Sequence, residues 1–163
     1  MNLSHVCSQI RLLLSDVDGV MTGGGLTFTS SGEETKTFHI RDGLGIRLWQ
    51  RAGGQFGMVT GRQSPIVERR AAELGVTLLR QGNDDKLPLV RELAAEAGVT
   101  LEETAYIGDD LPDLAAIRAV GLGIAVADAV EEVRAAARYT TSVRGGDGAV
   151  REVVELLLKN TSR

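Results

Sequence analysis

Short apolar runs recur along this chain, and each run ends abruptly in polar or glycine-rich residues. The runs are Leu12–Leu14, Phe56–Val59, Thr104–Ile107 and Leu122–Ala127. Runs of this kind are typical of strands buried on both faces of a parallel sheet. We therefore predict four buried strands, each followed by a polar loop.

Segments with helical start signals separate these runs. Ser64 is a candidate N-cap with Pro65 at the first helical position, Asp128 is followed three residues later by Glu131, and Ala149–Leu158 has helical spacing. Strands that alternate with helices indicate an α/β fold. The expected architecture is a doubly wound, Rossmann-like parallel sheet.

One segment interrupts the alternation of strands and helices. Leu26–Thr29 and Glu33–Ile40 are rich in Thr and aromatic residues, and Ser30–Gly32 lies between them as a turn. This pattern predicts a β-hairpin that projects from the main sheet. The chain has no internal repeat, low-complexity tract or linker, so we expect one domain over residues 1–163.

The composition excludes several classes of protein. With 43% hydrophobic and 4% aromatic residues, the chain can bury an aliphatic core, which excludes general disorder. A net charge of -4 without a block of like charges argues against nucleic acid or an anionic membrane as the main partner. The single cysteine, Cys7, fits a reducing compartment, and no apolar stretch has the length of a signal peptide or a membrane span. We expect a soluble cytoplasmic protein.

Two acidic residues follow the first predicted strand, where ligands of open α/β sheets bind. Asp16 and Asp18 are two residues apart, so an extended backbone directs both carboxylates to the same side. Their mutual repulsion favours a bound cation or a shared proton, although an isolated Asp-x-Asp is also common in caps and turns. A calcium loop of the EF-hand type is excluded, because Met21 and Thr27 stand where glycine and an acid are required.

Further polar features follow later strands or open helices. Thr60, Gly61 and Arg62 bring a hydroxyl, an accessible backbone and a cation to a helix N-terminus, which suits a phosphate oxygen. Lys86 begins another predicted helix, and Gly108–Asp113 contains three acids, of which capping accounts for one. Taken singly, the Thr-Gly turn and the lysine are also ordinary turn and surface chemistry.

The order of these features resembles the haloacid dehalogenase superfamily of phosphotransferases. The resemblance implies that Asp16 is the nucleophile and Asp18 the general acid/base. It also implies that Thr60 binds phosphate, that Lys86 neutralises it, and that the acidic metal motif is Asp109, Asp110 and Asp113. A general acid/base at Asp18 favours a phosphatase over a dehalogenase or an ion-pumping ATPase.

The resemblance further implies Mg²⁺ as the cofactor. A phosphate monoester and a carboxylate nucleophile are both anionic, so attack by Asp16 requires Mg²⁺ and a lysine to neutralise charge. Mg²⁺ takes oxygen ligands, and the implied set is Asp16, the main-chain carbonyl of Asp18, and Asp109. An aspartyl-phosphate on Asp16 divides the hydrolysis into two easier steps.

Within the superfamily, the chain is similar to the 3-deoxy-D-manno-octulosonate 8-phosphate phosphatase family of the lipopolysaccharide sugar pathway. The stretches that carry this resemblance are Asp16–Val20, His39–Gly43, Val59–Arg62, Tyr106–Leu111 and Gly145–Glu152. The spacing from Asp18 to Thr60 leaves room for the hairpin and one helix, and that from Thr60 to Lys86 for one helix and one short strand. We therefore expect no cap domain.

Membership of this family implies a homotetramer in which hairpins associate and a neighbouring subunit contributes to each site. It also implies contacts with a sugar phosphate from Thr60, Gly61, Arg62, Lys86, Arg41, Asp42, Gly43, Arg47 and Arg70. Asp147 departs from the basic residue expected in the glycine-rich tail, which places the contact of the tail with substrate in question.

Three alternatives remain open at this point. A phosphatase for a nine-carbon ulosonic acid 9-phosphate is the closest, and Arg62 argues against it whereas Asp147 argues weakly for it. A receiver-like phosphoacceptor module shares the sheet and the acidic pocket, but it has no acidic motif after the lysine. A catalytically idle scaffold would have no need to retain Asp16, Asp18, Thr60, Lys86 and Asp109 together.

Overall fold

The computed structural model describes residues 2–161. In chain order the elements are α1 (Leu3–Gln9), β1 (Leu12–Ser15), β2 (Thr27–Phe28), β3 (Glu34–Thr35), α2 (Ile40–Arg51), β4 (Gln55–Thr60), α3 (Pro65–Glu73), β5 (Leu78–Gln81), α4 (Lys86–Glu96), β6 (Thr104–Gly108), α5 (Leu114–Ala119), β7 (Leu122–Ala125), α6 (Glu131–Ala136), β8 (Tyr139–Thr140) and α7 (Ala149–Asn160). A short 3₁₀ helix at Leu111–Asp113 leads into α5.

Six strands form the main sheet in the order β5-β4-β1-β6-β7-β8, and every neighbouring pair is parallel. The chain runs outward from β1 to β4 and β5, and then returns to the other side of β1 through β6. The strand order therefore reverses between β1 and β6, which is where a doubly wound sheet binds its ligand. Helices α1, α2 and α7 pack in one group and α4, α5 and α6 in another, which confirms the predicted fold class.

The apolar runs form the strands that the sequence predicts. Every residue of β1 is buried, as is every residue of β6 and β7. Two further strands, β5 and β8, complete the sheet at its edges. The strand predicted over Leu122–Ala127 is shorter in the structure, because β7 ends at Ala125 and the backbone turns after Val126.

Two of the three helical start signals are confirmed. The Ser64 hydroxyl accepts a hydrogen bond from the amide of Ile66 and so caps α3, and α7 begins at Ala149 as expected. The signal at Asp128 is wrong, because Val130 is the N-cap of α6. The Asp128 carboxylate instead accepts a hydrogen bond from the amide of Gly145, a tertiary contact that local spacing does not reveal.

The predicted hairpin exists, but its second strand is shorter than the sequence suggested. Strands β2 and β3 pair in antiparallel register, and Gly32 in the turn has φ of 85°. The strand predicted over Glu33–Ile40 ends at Thr35. His39 instead caps α2 by accepting a hydrogen bond from the amide of Arg41. Arg41 consequently lies in the first turn of α2.

Helix α7 is capped by a side chain from another helix. Its N-cap residue is Gly148, which has no side chain, and the Asp42 carboxylate on α2 accepts a hydrogen bond from the amide of Arg151 at 2.9 Å. Asp42 is 1% exposed, and its second oxygen is buried without a hydrogen-bond partner. Burial raises the pKa of Asp42 to about 6, although the amide of Arg151 and the nearby cations oppose the shift.

Over residues 2–161, the helices of this protein are too short or too polar to cross a membrane.

Substitution of Asp42 tests this capping role. We expect Asp42→Ala to lower the free energy of unfolding by about 1–2 kcal/mol, because a helix cap and a buried hydrogen bond are lost. Asp42→Asn keeps the acceptor but removes the charge. Since the folded protein binds the Asp42 proton more tightly than the unfolded chain does, the contribution of Asp42 to stability falls as pH rises from about 4 through about 6.

Urea unfolding at pH 5 and pH 8 measures this effect. The free energy of unfolding of Asp42→Asn, relative to that of the wild type, should be higher at pH 8 than at pH 5. An unchanged difference between wild type and Asp42→Asn at the two pH values would contradict the account.

Candidate active site

A cavity of about 250 Å³ lies at the carboxyl ends of β1, β4 and β6, at the point where the strand order reverses. Larger clefts occur elsewhere, but within residues 2–161 the one group of three side chains able to hold a metal ion lies here. The cavity is lined by Asp16, Asp18, Gly24, Thr60, Gly61, Arg62, Asp84, Lys86, Asp109, Asp110, Pro112 and Asp113.

Three carboxylates meet in this cavity. One oxygen each from Asp16, Asp109 and Asp113 lie within 4.8 Å of one another. Burial, reinforced by the charge of Asp113, raises the pKa of Asp16 well above its usual range despite the opposing effect of the nearby lysine. Burial likewise raises the pKa of Asp109 to about 6. The group therefore resists full ionisation unless positive charge is supplied.

Lys86 supplies part of that positive charge. Its ammonium lies 2.9 Å from Asp16 Oδ1 and 2.7 Å from Asp113 Oδ1, and the residue is 4% exposed. Burial alone would lower the pKa of Lys86, but the two carboxylates outweigh it and hold the pKa above its usual value. Three carboxylates against one ammonium leave two negative charges, and an all-oxygen donor set with this charge fits Mg²⁺.

Asp113 differs from the other two acids because all of its acceptor capacity is used. Oδ1 accepts from Lys86 at 2.7 Å and from the Tyr106 hydroxyl at 2.6 Å, while Oδ2 accepts from the amides of Asp109 at 2.9 Å and Asp110 at 3.2 Å. A carboxylate with four donors has no lone pair left for a metal ion. Asp113 therefore orients its neighbours, and the oxygens that remain for a cation belong to Asp16 and Asp109.

Two glycines permit the close approach of these acids. Gly19 has φ of 89°, and a Cβ at this position would collide with Oδ2 of Asp109. A Cβ at Gly108 would collide with the side chain of Asp113. The absence of a side chain at these two glycines thus allows Asp109 and Asp113 to occupy their positions in the site.

Asp18 lies beside the carboxylate group rather than within it. Its Oδ2 accepts a hydrogen bond from the Thr60 hydroxyl at 3.4 Å, and that hydroxyl in turn accepts the amide of Arg62 at 3.2 Å. This arrangement keeps the Asp18 side chain apart from the acids that would hold the cation. A ligand role for Asp18 through its main-chain carbonyl stays a prediction.

The hairpin reaches the cavity of its own chain through Lys36, which sequence reasoning missed. The Lys36 ammonium donates to Asp18 Oδ1 and lies 3.0 Å from Glu34 Oε1. Glu34 also pairs with Arg62 at 3.2 Å, so charges of alternating sign join the hairpin to the loop after β4. The sequence held a signal for this contact, because residues 34 and 36 are two apart in an extended segment and project to the same side.

Five residues predicted to contact the sugar phosphate lie outside this cavity. Asp42 is buried as the cap of α7, and a Cβ at Gly43 would press on the Arg70 guanidinium. Arg47 donates to the carbonyl of Glu73 at 2.8 Å, and Arg70 lies 5.5 Å from the centroid of the Phe38 ring. Arg41 lines a separate cleft that also includes Asp147.

The contacts of these five residues with the sugar phosphate stay a prediction, because the lining of this cavity does not include them. Arg41 and Arg47 lie on α2, and Arg70 lies on α3.

The sequence and fold are similar to those of known proteins. Residues 78–153 match the haloacid dehalogenase-like hydrolase family. The chain is 46% identical over 151 residues to the 3-deoxy-D-manno-octulosonate 8-phosphate phosphatase KdsC of Yersinia pestis, covering 93% of this chain and 81% of that protein. It is 45% identical over 151 residues to the KdsC phosphatase of Haemophilus influenzae, covering 93% and 84%.

A similar solved structure is the 3-deoxy-D-manno-octulosonate 8-phosphate phosphatase of Moraxella catarrhalis, in complex with magnesium ion, phosphate ion and KDO. The two folds agree with a TM-score of 0.95 at 45% identity, covering 98% of this chain and 91% of that chain.

The close packing of Gly19 against Asp109 can be tested by substitution of the glycine. We expect Gly19→Ala to raise the Mg²⁺ concentration for half-maximal activity at least ~10-fold, because displacement of Asp109 weakens a charged ligand contact. Gly98→Ala is a matched control: Gly98 has φ of 70°, but a Cβ there meets nothing within 4 Å.

Both variants carry the backbone strain of a non-glycine residue at positive φ, about 1–2 kcal/mol. A Mg²⁺ titration of activity should therefore shift in Gly19→Ala and stay within about twofold in Gly98→Ala. Equal shifts in the two variants would show that strain, rather than contact with Asp109, is responsible.

Proposed function

This chain belongs to the 3-deoxy-D-manno-octulosonate 8-phosphate phosphatase family of haloacid dehalogenase-like hydrolases, and on that premise we propose its reaction and the residues that perform it. The protein is a Mg²⁺-dependent phosphoric monoester hydrolase that converts 3-deoxy-D-manno-octulosonate 8-phosphate into 3-deoxy-D-manno-octulosonate and phosphate. The observation that carries this conclusion is the buried group of Asp16, Asp109 and Asp113 around Lys86 at the carboxyl edge of the sheet.

Asp16 is the proposed nucleophile. Its carboxylate and the phosphate monoester are both anionic, so their approach requires positive charge at the reacting atoms. Lys86, 2.9 Å from Asp16 Oδ1, supplies one such charge. Asp16, Asp109 and the main-chain carbonyl of Asp18 would hold Mg²⁺, and the bound ion would supply the remaining neutralisation of the transferring phosphoryl group.

The reaction then proceeds in two steps. A carboxylate oxygen of Asp16 attacks phosphorus and forms an aspartyl-phosphate, while Asp18 gives its proton to the departing O8 of the sugar. Asp18 next takes a proton from water, which attacks the phosphorus, releases phosphate and restores Asp16. Thr60, Gly61 and Arg62 line the cavity, where the Thr60 hydroxyl and the Gly61 amide can bind the phosphate oxygens.

The eight-carbon substrate is favoured over a nine-carbon ulosonic acid phosphate by Arg62, which lines the cavity. Asp147, which favoured the longer sugar, lies in a different cleft of its own chain. A receiver-like signalling module lacks an acidic motif after the lysine, whereas here Asp109 and Asp113 follow Lys86 and meet it in the cavity.

We also propose that residues 1–163 form one domain without a cap, located in the cytoplasm, and that four copies assemble. Between β1 and β4 the described chain forms the hairpin and α2, and between β4 and α4 it forms α3 and β5, so neither insertion supplies a cap. The hairpin exposes Leu26 and Phe28, which are 55% and 56% accessible. Packing of hairpins in a homotetramer would bury these side chains and allow a neighbour to cover each cavity.

Phosphate release from a panel of substrates tests the function. The eight-carbon ulosonic acid phosphate should be hydrolysed with the highest kcat/KM, ahead of nine-carbon ulosonic acid phosphates and common hexose phosphates, and EDTA should abolish release. Preference for a nine-carbon acid would support the alternative substrate, and release that EDTA leaves intact would overturn the mechanism.

The same assay separates the two acids after β1. Asp16→Asn should abolish turnover, because an amide is a poor nucleophile and a poor Mg²⁺ ligand. Asp18→Asn should lower kcat by about 10²–10⁴-fold, the usual contribution of general acid/base catalysis, with the fold unchanged by circular dichroism. Full activity of Asp16→Asn, or a wild-type kcat for Asp18→Asn, would remove the role assigned to that residue.

Assembly through the hairpin makes a further prediction. Leu26→Asp combined with Phe28→Asp should lower the oligomer mass measured by light scattering, because charge opposes apolar packing. Activity on the sugar phosphate should fall, while slow hydrolysis of a small aryl phosphate, which needs no cover from a neighbour, should persist. Ser31→Asp adds charge in the exposed turn and serves as the control. A fully active monomer would show that specificity does not depend on assembly.

A further inference from the structure

Tyr106 lies on the central strand β6, and its side chain is wholly buried. Its hydroxyl donates a hydrogen bond of 2.6 Å to Oδ1 of Asp113. Burial, together with the charges of Asp113 and Asp16, raises the pKa of Tyr106 well above its usual range. The hydroxyl therefore stays protonated and acts as a donor beneath the floor of the cavity, where it has no direct access to substrate.

The acceptor of this hydrogen bond is also an ion-pair partner of Lys86. Asp113 Oδ1 receives the Tyr106 hydroxyl at 2.6 Å and the Lys86 ammonium at 2.7 Å. The ammonium is shared in turn with Asp16 Oδ1 at 2.9 Å. The position of the lysine thus depends on how strongly each of two carboxylates attracts it.

We propose that Tyr106 is a positioning residue for Lys86. Its hydroxyl donates a hydrogen bond to the Asp113 carboxylate without adding a charge of its own. Asp113 therefore attracts the Lys86 ammonium less strongly, and the ammonium stays within reach of Asp16. The inference rests on the proposed function, in which Lys86 neutralises the phosphoryl group transferred to Asp16.

A phenylalanine at position 106 would fill the same space but donate no hydrogen bond. Asp113 Oδ1 would then have the ammonium as its one side-chain donor, in surroundings that exclude water. Unsatisfied buried carboxylate charge attracts the nearest cation more strongly. Lys86 is therefore drawn towards Asp113 and away from the reacting atoms.

Tyr106→Phe and Tyr139→Phe form a matched pair, because the sequence has two tyrosines. The Tyr139 hydroxyl donates to Glu152 Oε1 at 2.7 Å, a carboxylate hydrogen bond that does not involve the cavity residues. We expect Tyr106→Phe to lower kcat on the sugar phosphate about 10-fold, the value of a hydrogen bond to a charged group, with KM within about twofold. Tyr139→Phe should keep kcat within about twofold, and circular dichroism should show both variants folded at the assay temperature.

A double-mutant cycle with Asp113→Asn separates positioning from a structural role. If the hydroxyl acts through Asp113, adding Tyr106→Phe to Asp113→Asn should lower turnover by less than about twofold. Reactions with enzyme in excess, followed over hours, keep the slow variants measurable.

Wild-type kcat in Tyr106→Phe, or equal losses in the wild-type and Asp113→Asn backgrounds, would overturn the proposal. Failure of the wild-type protein to hydrolyse the sugar phosphate would instead overturn the proposed function.

Discussion

The ion pairs of Lys86 with Asp16 and Asp113 join three elements across the point where the strand order reverses. Asp16 follows β1, Lys86 begins α4, and Asp113 ends the 3₁₀ helix after β6. Removal of one partner from such a buried group leaves an uncompensated charge, which is strongly destabilising. The apolar strands beneath the site fix where these elements end, and the ion pairs fix how the ends meet.

This group is also short of positive charge, and that deficit connects structure to chemistry. The raised pKa values of Asp16 and Asp109 arise mainly from burial. A divalent cation removes the deficit and makes the ionised form of Asp16 available as a nucleophile. The site is therefore complementary to a divalent cation, which would also offset the negative charge of an incoming phosphoryl group.

The fold and the central residues of the site can be predicted from local sequence patterns, whereas several side-chain contacts cannot. Buried strands are recognisable in the sequence as apolar runs. Acids that follow those runs meet in the structure because parallel strands end at one carboxyl edge. Lys36 and Tyr106 were missed because one reaches the site from the hairpin and the other looks like an ordinary strand residue. The Asp128 signal was wrong for a related reason, because its carboxylate bonds to Gly145, and the capping of α7 by Asp42 was not predicted at all. Both contacts join segments distant in sequence, which spacing along the chain does not show.

The dependence of this buried group on a divalent cation is tested most directly by calorimetric titration of Mg²⁺ into the wild-type protein and into Asp109→Asn. The wild type should bind one Mg²⁺ per chain, with a rise in the midpoint of thermal unfolding as the ion is added. Asp109→Asn should remain folded and show no binding over the same concentrations. Equal Mg²⁺ affinity in the two proteins would contradict the assignment of Asp109 as a ligand and the charge balance built upon it.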